Sequence, residues 1–175
     1  LGKSMPKKIV GTLATTVMFV AFALTLIVFQ MNHSEKIIHL FRVIQLDSLT
    51  LNARLQVDSL SVWMTLIVTG VGSLIHLFSM GYMSHDKGYY KFFTYLNMFI
   101  FAMLILVLGS SYFMLFFGWE GVGICSYLLI GFHYSDEQKG LLNGIAARKA
   151  FIMNRIGDLG LLIGMFLILL QFGSL

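Results

Sequence analysis

Three ionisable residues lie inside stretches that are otherwise apolar enough to cross a lipid bilayer. Glu120 lies within the stretch 116–132, and Arg155 and Asp158 lie in the last apolar stretch of the chain. A charged group at the centre of a bilayer costs roughly 2.5–3.5 kcal/mol on insertion scales, so each of these residues needs a partner or a function. Arg155 precedes Asp158 by three positions, so the two can pair on one helix face. Glu120 has no such partner within its own helix, and we predict that it binds and releases protons.

A second group of polar residues recurs at helical spacing in an earlier apolar stretch. Its members follow intervals of four, four and three positions, so they form one stripe on a helix that ends at His76. His76 could relay protons along a hydrated path. The same stripe could instead be a packing face, because small polar residues join helices in membranes. The candidate proton-transfer residues are therefore Glu120, Asp158, Arg155 and His76, followed by Lys149, Ser73 and Thr69.

The composition excludes most other classes of protein. The chain is 58% hydrophobic and only 11% charged, which is typical of a polytopic membrane protein. Its one cysteine excludes disulfides within the chain and cysteine metal clusters, and the five histidines show no metal-ligand spacing. The net charge of +4 comes from cations that lie mostly beside the apolar stretches, which fits membrane topology signals rather than nucleic-acid binding.

Five apolar stretches predict five membrane-spanning helices, at about 9–29, 60–82, 92–108, 112–132 and 150–172. Residues 30–58 carry charges of both signs and partly alternate between apolar and polar. This pattern predicts either a β-hairpin that turns at Asp47 and Ser48 or an irregular loop, in both cases outside the membrane. We therefore predict an all-α polytopic membrane protein. We expect residues 1–175 to form a single membrane segment, a fragment of a longer subunit.

The basic residues predict the orientation of the chain in the membrane. One side would receive eight cations, and the other only three, balanced by three acids. We therefore expect the N-terminus on the cytoplasmic or matrix side. In this topology Glu120 and Asp158 each lie roughly 12 Å from the face at which their helix enters, so both fall near the midplane. The eight cations are Lys3, Lys7, Lys8, Lys87, Lys91, Lys139, Arg148 and Lys149, and the other three are Lys36, Arg42 and Arg54.

The run GWEGVG at 118–123, followed by SYLLIGF at 126–132, resembles the antiporter-like subunit of proton-pumping NADH:quinone oxidoreductase, or respiratory complex I. This is subunit L in bacteria and subunit 5 in mitochondria. Shorter runs at 74–76, 81–83, 92–97, 149–152 and 154–158 also match that family. By this resemblance the chain corresponds to family helices two to six, with a β-hairpin between helices two and three. Glu120 falls on the family's helix-five glutamate, whose usual partner is a lysine in helix seven, beyond Leu175. Arg155 and Asp158 fall on a matching pair in helix six.

The resemblance implies a role in proton translocation. The chain would contribute part of a proton half-channel coupled to NADH oxidation and quinone reduction. It would carry no redox centre and no cofactor or metal of its own, because flavin, iron–sulfur clusters and quinone are expected in partner subunits. Its partners would be other membrane subunits of complex I, the lipid bilayer and protons, with no nucleic acid. It would lie in the bacterial inner membrane or the mitochondrial inner membrane. Two alternatives stay open: a subunit of a multisubunit sodium/proton antiporter, and a structural membrane subunit that does not conduct.

Overall fold

The computed structural model describes residues 6–31, 35–46, 49–136 and 140–173, and the predicted fold class is confirmed there. Five helices in these ranges are long and apolar enough to cross a membrane. Their large apolar side chains point outward in many places; Leu60 and Phe78, for example, are 73% and 69% exposed. The helices are α1 (Lys7–Gln30), α2 (Ser59–Tyr82), α3 (Tyr89–Leu108), α4 (Tyr112–Ile130) and α5 (Gly140–Phe172).

In the described residues a β-hairpin connects α1 and α2, so the hairpin predicted within residues 30–58 is confirmed in preference to the irregular loop. Strand β1 (Lys36–Leu46) pairs antiparallel with β2 (Leu49–Val57). The predicted turn at Asp47 and Ser48 lies outside the described residues. Ser110, in the α3–α4 turn, donates its backbone N–H to the Arg54 carbonyl at 3.1 Å. The hairpin therefore lies at the end of the bundle where α3 ends and α4 begins.

Neighbouring helices pack against each other in chain order, and α1 also contacts α3. At the end of the bundle where α1 begins, Met83, Tyr89 and Phe93 form a buried apolar cluster. The Lys7 ammonium donates to the Ser84 carbonyl at 3.0 Å at this same end. The N-terminus of α1, the α2–α3 loop and the α4–α5 loop therefore share one face of the bundle, which we call the basic end. Lys3 and Lys139, which we expect on this side, lie outside the described residues.

Helix α5 begins at Gly140, well before the predicted span at about 150–172. With 33 residues it is about 50 Å long at 1.5 Å per residue, longer than the ~30 Å hydrocarbon core. Its first turns therefore extend beyond the apolar part. Arg148 and Lys149 consequently lie inside the helix rather than in a loop that precedes it.

Candidate functional site

The interface between α4 and α5 brings Glu120, Arg155 and Asp158 together. The Arg155 guanidinium forms an ion pair with the Glu120 carboxylate, and one of its nitrogens lies 3.6 Å from the nearer Asp158 oxygen. The Glu120 and Asp158 side chains are only 17% and 6% exposed. One cation therefore lies between two largely buried carboxylates. We call these three residues the acid–arginine cluster.

Asp158 has a second partner, which comes from α4. The Trp119 indole N–H donates to the other Asp158 carboxylate oxygen at 2.7 Å. Charge-assisted hydrogen bonds of this kind are stronger than neutral ones, and they fix the geometry of a buried carboxylate. Asp158 is therefore held from two sides, by Trp119 and by Arg155.

Two aromatic contacts lie on the basic-end side of the acid–arginine cluster. The Arg155 guanidinium lies over the Phe151 ring, 4.7 Å from its centroid. The Phe151 ring in turn lies 5.6 Å from the Tyr127 ring of α4. A cation over an aromatic face gains electrostatic attraction, so Phe151 helps to hold Arg155 in place.

Small residues allow α4 to approach α3 on its opposite side. A Cβ atom at Gly118 would lie 2.5 Å from the backbone nitrogen of Leu106, and one at Gly121 would lie 2.8 Å from the Ala102 Cβ. Glycine at these positions permits backbone contact between the two helices. Helix α4, which carries Glu120, is thus held tightly between α3 and α5.

His76 lies apart from the acid–arginine cluster, in the polar stripe of α2. Its ring is fully buried, and Nδ1 lies 2.7 Å from the Gly72 carbonyl oxygen, which fits an Nδ1–H donor in the neutral ring. Nε2 is buried with no hydrogen-bond partner. The Thr69 and Ser73 hydroxyls each donate to the carbonyl four residues earlier, at 2.7 Å. Those two hydroxyls are satisfied by their own helix, as in a packing face, whereas His76 keeps one unused nitrogen.

Lys149 is not brought to the acid–arginine cluster. It is exposed, and it shares a shallow surface groove with Arg148, Ile152 and Met153. The residues of α5 that contact α4 are on other positions of the helix, including Phe151 and Arg155. The geometry therefore gives Lys149 no part in the cluster.

Trp119 and Tyr127 are not among the site residues that the sequence predicts. A usable signal existed, because in antiparallel neighbours the numbers of facing residues add up to nearly the same total. Once Glu120 is placed opposite Arg155, the same register places Trp119 near Asp158 and Tyr127 near Phe151.

In the described part of the chain, no three His, Cys, Asp or Glu side chains come close enough together to hold a metal ion.

Two family models match this chain, and together they cover most of it. Residues 43–93 match the model described as "NADH-Ubiquinone oxidoreductase (complex I), chain 5 N-terminus". Residues 109–175, which include the acid–arginine cluster, match "NADH:quinone oxidoreductase/Mrp antiporter, TM". The chain belongs to the antiporter-like subunit family of NADH:quinone oxidoreductase. The resemblance carried by the GWEGVG run is thereby confirmed.

Individual relatives agree with this family. The chain is 55% identical, over 71% of its length, to NADH-quinone oxidoreductase subunit L of Pseudomonas aeruginosa. It is 43% identical, over 82% of its length, to NADH-ubiquinone oxidoreductase chain 5 of Hypocrea jecorina. The chain spans only about 20% of the length of either relative.

A solved structure shows the same fold. The Mrp complex from Dietzia sp. DQ12-45-1b contains a chain that superimposes with a TM-score of 0.79 over 96% of this chain and 18% of that one. The sequence identity is 23%, so this similarity concerns the fold alone. Together with the five spanning helices, these comparisons make the chain part of an integral membrane protein of the antiporter-like family.

Proposed function

We propose that this antiporter-like chain contributes part of a proton half-channel to a proton-translocating membrane subunit of an NADH:quinone oxidoreductase. The observation that carries the proposal is the acid–arginine cluster: two largely buried carboxylates share one arginine inside the membrane. Ionisable residues at this depth are costly, and they typically mark ion pathways. Flavin, iron–sulfur and quinone chemistry belongs to partner subunits in this proposal.

The geometry supports a simple exchange of partners. With Glu120 ionised, Arg155 pairs with it and lies 3.6 Å from Asp158. When Glu120 takes up a proton, its attraction for the guanidinium falls, and Asp158 becomes the main counter-ion. Trp119 holds Asp158 in place during this exchange. Release of the proton from Glu120 restores the first pairing, so proton occupancy is coupled to the position of one cation between the two helices.

We propose the same orientation as the sequence favours, with the basic end on the cytoplasmic or matrix side of the bacterial or mitochondrial inner membrane. The described cations at this end are Lys7, Lys8, Lys87, Lys91, Arg148 and Lys149. Partners are other membrane subunits and the surrounding lipid. A protease-accessible tag in the α2–α3 loop, tested in sealed vesicles of known sidedness, checks the orientation.

The experiment that tests the function is Glu120→Gln in the full-length subunit, in membranes with matched amounts of assembled complex. The amide keeps the size of the side chain but cannot carry a proton on and off. We expect NADH oxidation to continue and the number of protons pumped per NADH to fall sharply. Glu35→Gln is the matched control, because Glu35 is exposed and lies outside the membrane helices. A wild-type ratio in Glu120→Gln would remove the basis of the proposal.

A sodium/proton antiporter subunit is the second candidate, supported by the fold shared with the Mrp complex. The two candidates differ in what drives the protons. In the antiporter, an imposed Na⁺ gradient would move protons in vesicles without NADH, and Glu120→Gln would abolish that movement. In the oxidoreductase, proton movement would require NADH and would not depend on Na⁺.

A further inference from the structure

A cavity of about 820 Å³ opens at the basic end, between the α2–α3 loop and the α4–α5 loop. Two side chains at its rim come from different loops: Asp86 and His133 lie 3.7 Å apart, oxygen to ring nitrogen. Both are accessible, with side chains 29% and 49% exposed. A carboxylate and an imidazole therefore meet where the cavity opens to solvent.

The cavity reaches the basic-end part of the α4–α5 interface, and the acid–arginine cluster lies further along the same interface. Gly131 and Ala147 line it, and they face each other across α4 and α5. Tyr127 also lines the cavity and contacts Phe151 on α5. Along α4, Tyr127 is about 10 Å from Glu120 at 1.5 Å per residue.

One polar side chain lies between Tyr127 and Glu120. A Cβ atom at Gly123 would be 3.7 Å from the Asn154 amide nitrogen, so Asn154 faces a position on α4 that carries no side chain. Gly123 lies between Glu120 and Tyr127 along α4, so the Asn154 amide lies at a level between these two residues, on an exposed part of the seam.

The charges that line the cavity argue against a site for an anion. Lys87 and Lys91 line it, but Asp86 and Asp136 do as well, so these lysines and carboxylates balance. The other titratable groups that line the cavity with His133 are His85 from the α2–α3 loop, Tyr90 and Tyr95 from α3, Tyr127 from α4 and Tyr134 from its own loop. Imidazole is the side chain that proteins most often use to take up and release protons near neutral pH.

We propose that this cavity is the mouth through which protons reach Glu120, with His133 and Asp86 as the pair that collects them. The inference rests on the proposed function, and it names the entry route to the same site. The His133 imidazole takes a proton from bulk water, and the Asp86 carboxylate 3.7 Å away stabilises the imidazolium. The proton leaves His133 into the water of the cavity. The Tyr127 hydroxyl accepts a proton on its oxygen and releases its own into the seam, where the proton passes the Asn154 amide by way of water and protonates the Glu120 carboxylate. His133 is then neutral again, and rotation of the Tyr127 hydroxyl resets it for the next proton.

The test is chemical rescue in the full-length subunit of the assembled complex. We expect His133→Ala to lower the NADH-driven pumping rate several-fold above neutral pH, where free protons are scarce, and to have less effect at acidic pH. Imidazole added at the basic-end side should restore the rate, because it is small enough to enter the cavity and shuttles protons. Asp86→Asn should lower the rate in the same pH range. His39→Ala is the matched control, since His39 is exposed on the hairpin at the other end of the bundle, and it should pump like the wild type.

The outcomes separate the entry route from the proposed function. Wild-type pumping by both His133→Ala and Asp86→Asn at all pH values would overturn the entry route, and so would a loss that imidazole does not restore. Neither result bears on the role of Glu120, because the Glu120→Gln variant tests that role separately, without added imidazole. If the complex with His133→Ala fails to assemble, Tyr127→Phe tests the entry route instead, because this change removes only a single hydroxyl group. Wild-type pumping by Tyr127→Phe would then overturn the proposal.

Discussion

Arg155 of α5 forms an ion pair with Glu120 of α4. The resemblance implied a different partner for this acid, a lysine in family helix seven beyond Leu175. Within the described residues the charge of Glu120 is already matched by this arginine of the neighbouring helix. Arg155 also lies 3.6 Å from Asp158, so both acids share it. The stability of the α4–α5 interface should therefore depend on the three residues together.

The first prediction concerns this shared cation. Arg155→Gln should lower the free energy of unfolding by about 1.5–3 kcal/mol, the usual range for a hydrogen bond to a charged group, because it leaves Glu120 unpaired. The double variant Glu120→Gln/Arg155→Gln should recover part of that loss. The measurement is denaturant unfolding of the detergent-purified protein. Arg148→Gln is the control, because Arg148 is exposed and its guanidinium bonds to a carbonyl of its own helix at 3.4 Å. Strictly additive effects of the two single variants would show that the pair is not coupled.

The second prediction concerns the close approach of α3 and α4. Gly118→Ala places a methyl group 2.5 Å from a backbone nitrogen of α3 and 2.7 Å from the Leu106 Cα, and neither atom can move without shifting that helix. We expect a loss of about 1–3 kcal/mol, as for overpacking in a filled core. Gly81→Ala is the matched control, since a Cβ there meets nothing within 4 Å, and it should be neutral or stabilising. Equal thermal stability of the two variants would mean that α3 and α4 can move apart enough to accept the added methyl group at little cost in stability.

The sequence predicted the helices well because each membrane span must be long and apolar, and few other patterns meet that demand. It predicted the hairpin only as one of two alternatives, because a short alternation also suits a loop. It also identified Glu120, Arg155 and Asp158 as candidates from the cost of burying charge. It could not show that Trp119 would bond to Asp158, or that Lys149 would lie away from the cluster. Both depend on the rotation of α4 against α5, which is set by packing rather than by hydropathy.

The third prediction concerns the start of α2, just outside the membrane-spanning helix. Asp58 caps this helix: its carboxylate accepts from the Ser61 backbone N–H at 2.7 Å, and the Ser61 hydroxyl accepts from the Asp58 N–H at 2.9 Å. The Ser61 backbone N–H is the main cause that lowers the pKa of Asp58 below its ordinary value of 3.8. Because the folded state holds this pKa below the unfolded one, the stabilisation is present above about pH 3.8 and is lost as the pH falls through the folded pKa.

Two variants separate the cap from its charge. Asp58→Ala should cost about 0.5–2 kcal/mol at neutral pH, the usual range for a lost N-cap. Asp58→Asn should keep most of the cap, since asparagine is also a good N-cap residue, but lose the acid-dependent part. The measurement is the unfolding free energy at neutral pH and below pH 3.8. Identical acid sensitivity of the wild type and Asp58→Asn would contradict the assigned pKa shift.

The last prediction concerns His76, whose role the sequence left open between a proton relay and a packing residue. The ring is fully buried beside Phe93, and its Nε2 has no hydrogen-bond partner. A buried polar atom without a partner costs stability, about 1–3 kcal/mol. His76→Phe removes that atom and keeps a ring of similar shape, although it also loses the bond from Nδ1 to the Gly72 carbonyl. We therefore expect the assembled complex to be about as stable as the wild type but to pump more slowly.

Pumping per NADH and the amount of assembled complex are measured on the same membranes. Thr25→Ala is the control, because its buried hydroxyl bonds back to the Ala21 carbonyl of its own helix and should have little effect on pumping. If His76→Phe pumps normally but assembles poorly, His76 is a packing residue, and the polar stripe of α2 is not part of the proton path.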